Sequence, residues 1–548
     1  MSNTLIPPLD LMFFLTESPQ SPKHVGAVQI FELPPNAPSS YLRDLVAAFK
    51  AAPVVAPFNQ HPHFPRLGMP QWRVDDELEI DYHVRHSALP KPGNTGQLMQ
   101  VVQRLHGSLL DRRRPGWICQ IIEGLEDNRF AIYSKIHHAY IDGMSGVKRM
   151  YGSLSTSASD KTITPSWSFD PKKASAEKAV ARKKASQHAT KSGIVGQAEA
   201  FVEASGFLAQ MGMQWLKLRD SKAQIPFTAT RTRMNRPIEW DTRSTAVCSL
   251  PLDKIKTVGK QHNCTVNEIV LTVIGAALHD YLEEHRENTR SPLVALCPMS
   301  IRAEGDASAK TQVSAVHVRL GDPGASILQR LDQVIDSSTA SKDAVAGLSS
   351  DAMIDYGVII FGLWELLSRT KLDQIITPSY NVLVSNVPGP GDKDLYLCGS
   401  RMVASYPIST LLPGVNLNAT VLSHGNSLDF GLLGDMHALP DLEIVVQRMM
   451  VRFTELQQAV LGRQGGPAGG KARTQSKKKT GAKTKAKTKT KTKTKTKAKT
   501  KVKAKTKAEA RPATASRTRA KSSNKSAGKA SGRSAGRASG KVRPKRRA

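Results

Sequence analysis

Two adjacent histidines, His137 and His138, close an apolar run that begins at Phe130 and open a short segment ending in Ile141-Asp142-Gly143. Neighbouring side chains at the end of a strand leave in different directions, so one imidazole can face a cavity while the other packs. Imidazole has an unperturbed pKa of ~6.5, which lets it take up and return a proton near neutrality. Such a base needs its ring and tautomer fixed by a second group, and Asp142 stands a few residues on, able to act directly or by holding the loop. Gly143 is expected to permit the tight backbone that brings the loop back. Other chemistries compete. Two histidines and an aspartate could ligate a metal, but HExxH spacing is absent and no further ligand cluster stands out. A nucleophilic triad needs an activated Ser or Cys, and the GxSxG-like string Gly532-Arg533-Ser534-Ala535-Gly536 falls where no strand–turn–helix can form. On these residues alone, a structural histidine pair stands level with catalysis.

The elements that must position the pair read as a mixed α/β unit over residues 1–155. Strands are expected at Val25–Leu33, Trp117–Leu125 and Phe130–Ile136, and helices at Tyr41–Ala51 and Gly96–Leu110. The Pro- and His-rich loop at Pro53–Pro70 reads as a border to something, not as core. Residues 156–227 read as a crossover, mobile from Ser153 to Lys191, followed by a one-sided helix over Gly193–Arg219 that would pack across two domains or touch lipid. A second α/β unit spans 228–462. Its strands are expected at Ser244–Leu250, Leu293–Pro298, Val313–Leu320, Tyr380–Ser385, Leu417–Ser423 and Leu428–Leu433. Its helices are expected at Leu252–His262, Val266–His285, Ala325–Val345 and Leu442–Leu461. Ile354–Leu367 is strongly apolar, but Asp355 and Glu365 mark it as a core or interfacial helix.

The net charge of +32 is unevenly placed. Lys471–Ala548 holds 31 of the 78 Lys and Arg and one acid, Glu509, whereas the other 470 residues carry 47 basic against 45 acidic groups. A nucleic-acid reading of the whole chain based on its basicity therefore fails. Residues 463–548 form a low-complexity polybasic tail, expected to stay disordered and to bind DNA or another polyanion, an anionic lipid surface included. The five cysteines lack a CxxC pair, which argues against a disulfide framework or a zinc ribbon. With no signal peptide evident and no apolar run of ~18 residues, the body is expected in the cytoplasm, soluble or peripheral to a membrane.

HHxxxDG after a strand resembles the active-site motif of CoA-dependent acyltransferases, and further strings resemble the bacterial wax ester synthase/diacylglycerol acyltransferases. These are Pro8-Leu9-Asp10-Leu11-Met12-Phe13, Lys23-His24-Val25-Gly26, Asn235-Arg236-Pro237-Ile238, Pro298-Met299-Ser300-Ile301-Arg302 and Ser385-Asn386-Val387-Pro388-Gly389-Pro390. Arg114-Pro115-Gly116-Trp117 resembles the family's PLW segment with Gly116 in place of Leu, a change expected to loosen the packing there. The family's Asn-Asp pair stands here as Asn267-Glu268, and Glu268 reads as a helix-entry residue.

The resemblance covers roughly Leu5 to Gly462. It implies two chloramphenicol-acetyltransferase-like lobes with a channel between them, and His138 as general base for an acceptor hydroxyl. Asp142 and His137 would hold the loop, and Gly143 and Asn267 would contact substrate. Acyl-CoA would be the co-substrate, with no metal or organic cofactor. The acceptor would be diacylglycerol or a long-chain alcohol, and the site of action the inner membrane face or lipid inclusions. The alternatives are another hydroxyl acceptor, such as a polyketide, or a non-catalytic lipid-inclusion or nucleoid protein.

Overall fold

Runs of β-branched and aromatic residues on either side of the histidine pair make the centre of a sheet, as their fit to a pleated, buried surface requires. A computed structural model describes residues 4–141, 143–170, 206, 224–287, 289–300, 313–346, 349–391 and 393–462. The first half runs β1 (Thr4–Leu5), α1 (Pro8–Thr16), β2 (His24–Glu32), α2 (Tyr41–Ala51), β3 (Gln60–His63), β4 (Gln71–Val74), α3 (Ile80–His83), β5 (Val84–Ala88), α4 (Thr95–Gly107), β6 (Trp117–Leu125), β7 (Arg129–His137) and α5 (Gly143–Gly152). The second half runs β8 (Arg243–Pro251), α6 (Leu252–His262), α7 (Val266–Glu284), β9 (Val294–Ser300), β10 (Val313–Arg319), α8 (Ile327–Val345), α9 (Ser350–Arg369), β11 (Val382–Val387), β12 (Tyr396–Leu397), β13 (Ser400–Ile408), β14 (Leu417–His424), β15 (Ser427–Asp435) and α10 (Leu442–Leu461). The one-sided helix expected over Gly193–Arg219 and the polybasic tail lie outside the described residues, apart from Gly206.

Each half centres on a six-stranded mixed sheet, in the orders β12-β13-β2-β7-β6-β5 and β10-β9-β11-β14-β15-β8, and a small β1-β4-β3 sheet flanks the first. The chain is thus a mixed α/β protein of two similar lobes. Helix entries follow local rules. α4, α7 and α8 each open with a capping box, Asn94/Gln97, Thr265/Glu268 and Ser326/Gln329, in which the cap side chain and the third helical residue satisfy each other's backbone N–H. No helix among the described residues is long and apolar enough to cross a membrane.

Two features depart from the sequence reading. β13 belongs by position to the second half but pairs antiparallel with β2, from Arg401↔Glu32 to Ile408↔Gly26, with an irregularity between Met402 and Ala404. Sequence pattern gives little sign of it, because the irregularity breaks the alternation and Pro407 argues against a strand. β13 also lies against β15 of the second sheet, where a Cβ added at Gly431 would lie 1.8 Å from the Pro407 carbonyl oxygen. The stretch 155–170, expected to be mobile, is instead packed against the first lobe. Trp167 is buried and stacks on Trp117 at 4.8 Å, and its carbonyl accepts the Val55 N–H. One large aromatic outweighs the polar composition around it.

Candidate active site

The histidine pair is mounted by the backbone before its side chains do anything. The His137 N–H donates to the Gly116 carbonyl, beside β6, and the His138 N–H donates to the Lys23 carbonyl, beside β2, both at 2.8 Å. The strand end is therefore gripped from both neighbours, and a single 3-10 turn over His138–Tyr140 leads away from it.

α1 then covers both rings with two consecutive aromatics. Phe14 stacks on His137 at 4.2 Å and 7°, and Phe13 stacks on His138 at 4.4 Å and 21°. The two imidazoles differ in what remains open to them. His137 is buried, and its Nδ1 accepts the Ala139 N–H at 3.2 Å, which leaves the proton on Nε2, facing Glu17 Oε1 at 3.5 Å. His138 is half-buried.

Glu17 is the hub of this mount. Its side chain is buried, Oε1 accepts the Lys23 N–H, and Oε2 meets the Arg112 guanidinium at 3.0 Å. Burial pushes its carboxyl up, but His137, the Lys23 amide and Arg112 more than reverse this and hold it below its ordinary value. Lys23 carries the mount to the other lobe. Its buried Nζ donates to Ser21 Oγ at 2.8 Å and pairs with Glu365 of α9 at 2.9 Å. Burial lowers its pKa against the pull of Glu365. Arg369, one turn further along α9, donates to the Leu15 carbonyl at 2.7 Å. Sequence reasoning missed Phe13, Phe14, Glu17 and Glu365 as parts of the site. The available signal was the Phe-Phe pair matching the His-His pair, which composition and periodicity do not single out.

The remaining expectations divide. Asp142 lies outside the described residues. Gly143 is the first residue of α5, and a Cβ added there would meet nothing within 4 Å. What it supplies is exposed open space at the start of α5. Gly116 does not leave a loosened pocket. An added Cβ there would lie 2.7 Å from the Tyr140 ring and 3.1 Å from His137 Cβ, and the Tyr140 hydroxyl is fixed on the Gln60 carbonyl. The missing side chain is replaced by Tyr140, whose hydroxyl contact brings Gln60 of the 53–70 stretch to the border of the site. Glu268 completes the cap of α7, accepting the Thr265 N–H at 2.9 Å, with Lys342 at 3.5 Å. Asn267 is half-buried beside it on α7, which packs chiefly on α10 and α8 in the other lobe. Of the resembling strings, Asn235 ties the Tyr380 and Gly414 carbonyls together, and Gly389 lies so close to the Ser423 backbone that no Cβ fits.

The two-lobed mixed α/β architecture is a fold shared with condensation domains. The first condensation domain of the CDA synthetase overlays with a TM-score of 0.51 at 15% identity, covering 83% of this chain and 96% of that one, a likeness of fold alone. Nearer likenesses exist. The wax ester synthase/diacylglycerol acyltransferase from Marinobacter aquaeolei VT8 overlays with a TM-score of 0.66 at 28% identity, over 83% of this chain and 99% of that one. The O-acyltransferase WSD of Acinetobacter baylyi is 33% identical over 460 residues, 83% of this chain and 97% of its own. The protein named Probable diacylglycerol O-acyltransferase Tgs4 of Mycobacterium tuberculosis is 35% identical over 469 residues, 83% of this chain and 96% of its own. The wax ester synthase/diacylglycerol acyltransferase catalytic domain matches residues 6–270, and the corresponding C-terminal domain matches residues 311–457. The chain belongs to the wax ester synthase/diacylglycerol acyltransferase family, and it is an acyltransferase.

Proposed function

We propose that this enzyme moves a long-chain acyl group from acyl-CoA to the hydroxyl of a diacylglycerol, giving triacylglycerol, or of a long-chain alcohol, giving a wax ester, with His138 as general base. The observation that carries the assignment is the difference between the two rings. His137 has one nitrogen engaged by Ala139, the other facing Glu17, and a face covered by Phe14. His138 is the ring of the pair that keeps exposed surface, on a backbone fixed to Lys23.

In this reading the His138 imidazole takes the hydroxyl proton as the acceptor oxygen attacks the thioester carbonyl carbon. The tetrahedral oxyanion collapses, the C–S bond breaks, and the imidazolium returns its proton to the departing sulfur. Acyl-CoA and alcohol become ester and CoA with no net oxidation, so the reaction balances with no further reactant. General-base catalysis of this kind contributes ~10²–10⁴-fold, with positioning and oxyanion stabilisation adding to it. Phe13 holds the ring plane, His137 and Glu17 brace the strand end, and Asp142 is assigned to holding the loop that follows. The open space at Gly143 gives substrate a close approach to α5, and Asn267 is assigned to substrate contact through the second lobe.

Incubation of the purified protein with palmitoyl-CoA and either hexadecanol or dioleoylglycerol, following thiol release and ester product, tests the reading. Release of CoA without ester, or no release with either acceptor, would sink it. The polybasic tail we assign to an anionic partner surface, DNA or lipid headgroups, because its charge recognises phosphate whatever carries it.

A further inference from the structure

Fourteen large apolar side chains are exposed among the described residues, and nine of them lie on three neighbouring segments: the chain around β1 and α1, the loop between β3 and β4, and the end of α9 with the turn after it. The most exposed are Leu67 at 93% and Ile375 at 83%, with Leu5, Leu15, Leu366 and Met69 each between 58% and 59%. The segments are physically joined. Ile6 donates to the Pro70 carbonyl, Phe64 meets Phe14 edge-on at 6.0 Å, and Arg369 donates to the Leu15 carbonyl. Leu366 and Arg369 stand one turn apart on α9 and share a face. An apolar concentration of this kind on a soluble surface marks a docking site.

Charge indicates the partner. Exposed Arg66 and Arg73 lie in and beside the loop, Lys371 follows α9, and among the described residues no ion pair holds any of the three. Of the nearby carboxylates, Glu17 is engaged with Arg112 and Asp111 with Arg113, while Asp76 and Glu77 stand exposed beyond β4 in no ion pair among the described residues. Apolar side chains ringed by unpaired cations match a leaflet of anionic phospholipid, where the apolar groups enter the acyl boundary and the cations meet phosphate.

The geometry points to this face as the one on which the enzyme sits on an anionic lipid surface. The inference rests on the lipid-substrate reading above and adds the orientation. α1 connects the face to the chemistry, since Leu15 projects into solvent two residues after Phe13, which stacks on His138. Residues two apart on a helix point to nearly opposite sides, so α1 itself stands between this face and the base.

The test compares the full-length protein with a full-length Leu67→Asp/Met69→Asp/Ile375→Asp variant, so that both keep the tail. Flotation with phosphatidylcholine/phosphatidylglycerol vesicles containing dioleoylglycerol is run at low salt and at 1 M NaCl, where a Debye length of ~3 Å removes the contribution of the tail. The parent should stay vesicle-bound at 1 M NaCl and the variant should bind at least tenfold less. Turnover of palmitoyl-CoA with freely dissolved butanol should match between the two within about twofold, while turnover on vesicle-held dioleoylglycerol should fall at least tenfold. Equal flotation of the two proteins, or release of the parent by salt, would overturn the proposal. So would a parent that sediments as a dimer and a variant that sediments as a monomer with unchanged vesicle binding, which would make the face a contact between copies. If neither protein esterifies butanol or dioleoylglycerol, the acyl-transfer reading fails while flotation still decides the face.

Discussion

Two histidine pairs lie side by side in the first lobe, and strand register brings them together, since His24 of β2 is paired with His137 of β7. In the pair His24 and His106, both rings are buried. His24 Nε2 donates to the His106 carbonyl at 2.6 Å, His106 Nε2 donates to the Ser409 carbonyl, and His106 Nδ1 accepts the Tyr133 hydroxyl at 2.9 Å. Burial, helped by the nearby Lys135 charge, pushes His106 down to about 3 and His24 well below its ordinary value. Both are neutral struts at neutral pH. In the pair His137 and His138, one ring is buried against a carboxylate and the other is only half-buried. The same residue type one strand apart is a hydrogen-bonding brick in one setting and a candidate base in the other. Desolvation and the identity of the neighbour make the difference.

The comparison can be broken in order of effect. Replacing His138 by Ala should lower turnover by ~10²–10⁴-fold with a circular-dichroism melt close to that of the parent. Near-parental turnover would transfer the base role elsewhere. Glu17→Gln removes a buried carboxylate from His137, Lys23 and Arg112, and should cost about 3 kcal/mol in unfolding free energy. It should also reduce turnover through the loosened strand end, and an unchanged denaturation midpoint would show that the pair is not braced in this way. The His24–His106 pair should show itself through pH. Its folded pKa values lie below the unfolded one, so the unfolded chain binds more protons as pH falls. The stability these rings contribute is complete above ~6.5 and is lost as pH drops towards the folded value, by about 1.4 kcal/mol per unit for each ring. Denaturation of a His106→Gln variant should show a shallower loss between pH 6.5 and 4, and an unaltered slope would contradict the neutral-strut assignment. Smallest is Phe13→Leu, which keeps bulk but removes the ring face. Turnover should fall several-fold, because the His138 ring loses the flat aromatic face it stacks on. Phe13→Trp should restore it.

Much of this was legible beforehand, and the reasons are local. α2, α6 and α10 begin and end where periodicity places them, at Tyr41–Ala51, Leu252–His262 and Leu442–Leu461, because an amphipathic helix writes its spacing into the chain. β6 matches Trp117–Leu125 for the corresponding reason in strands. Glu268 was legible as a helix-entry residue because capping involves residues three apart. β13 was not legible, since its partner is β2, nearly four hundred positions earlier, and Pro407 argued against it. Gly116 misled because Tyr140, which fills the space, is distant in sequence and adjacent only after β7 turns back.

The sequence by itself determined the two α/β lobes, the separation of a polybasic tail from a charge-balanced body, and the histidine pair as the place to look. These depend on composition, short-range periodicity and a motif held within seven residues. Only the tertiary structure decided which imidazole is buried and which is half-buried, that Phe13 and Phe14 cover them, and that Lys23 ties the mount to Glu365 in the other lobe. Those outcomes rest on desolvation and on contacts between residues up to 342 positions apart, quantities that exist only once the chain has closed on itself.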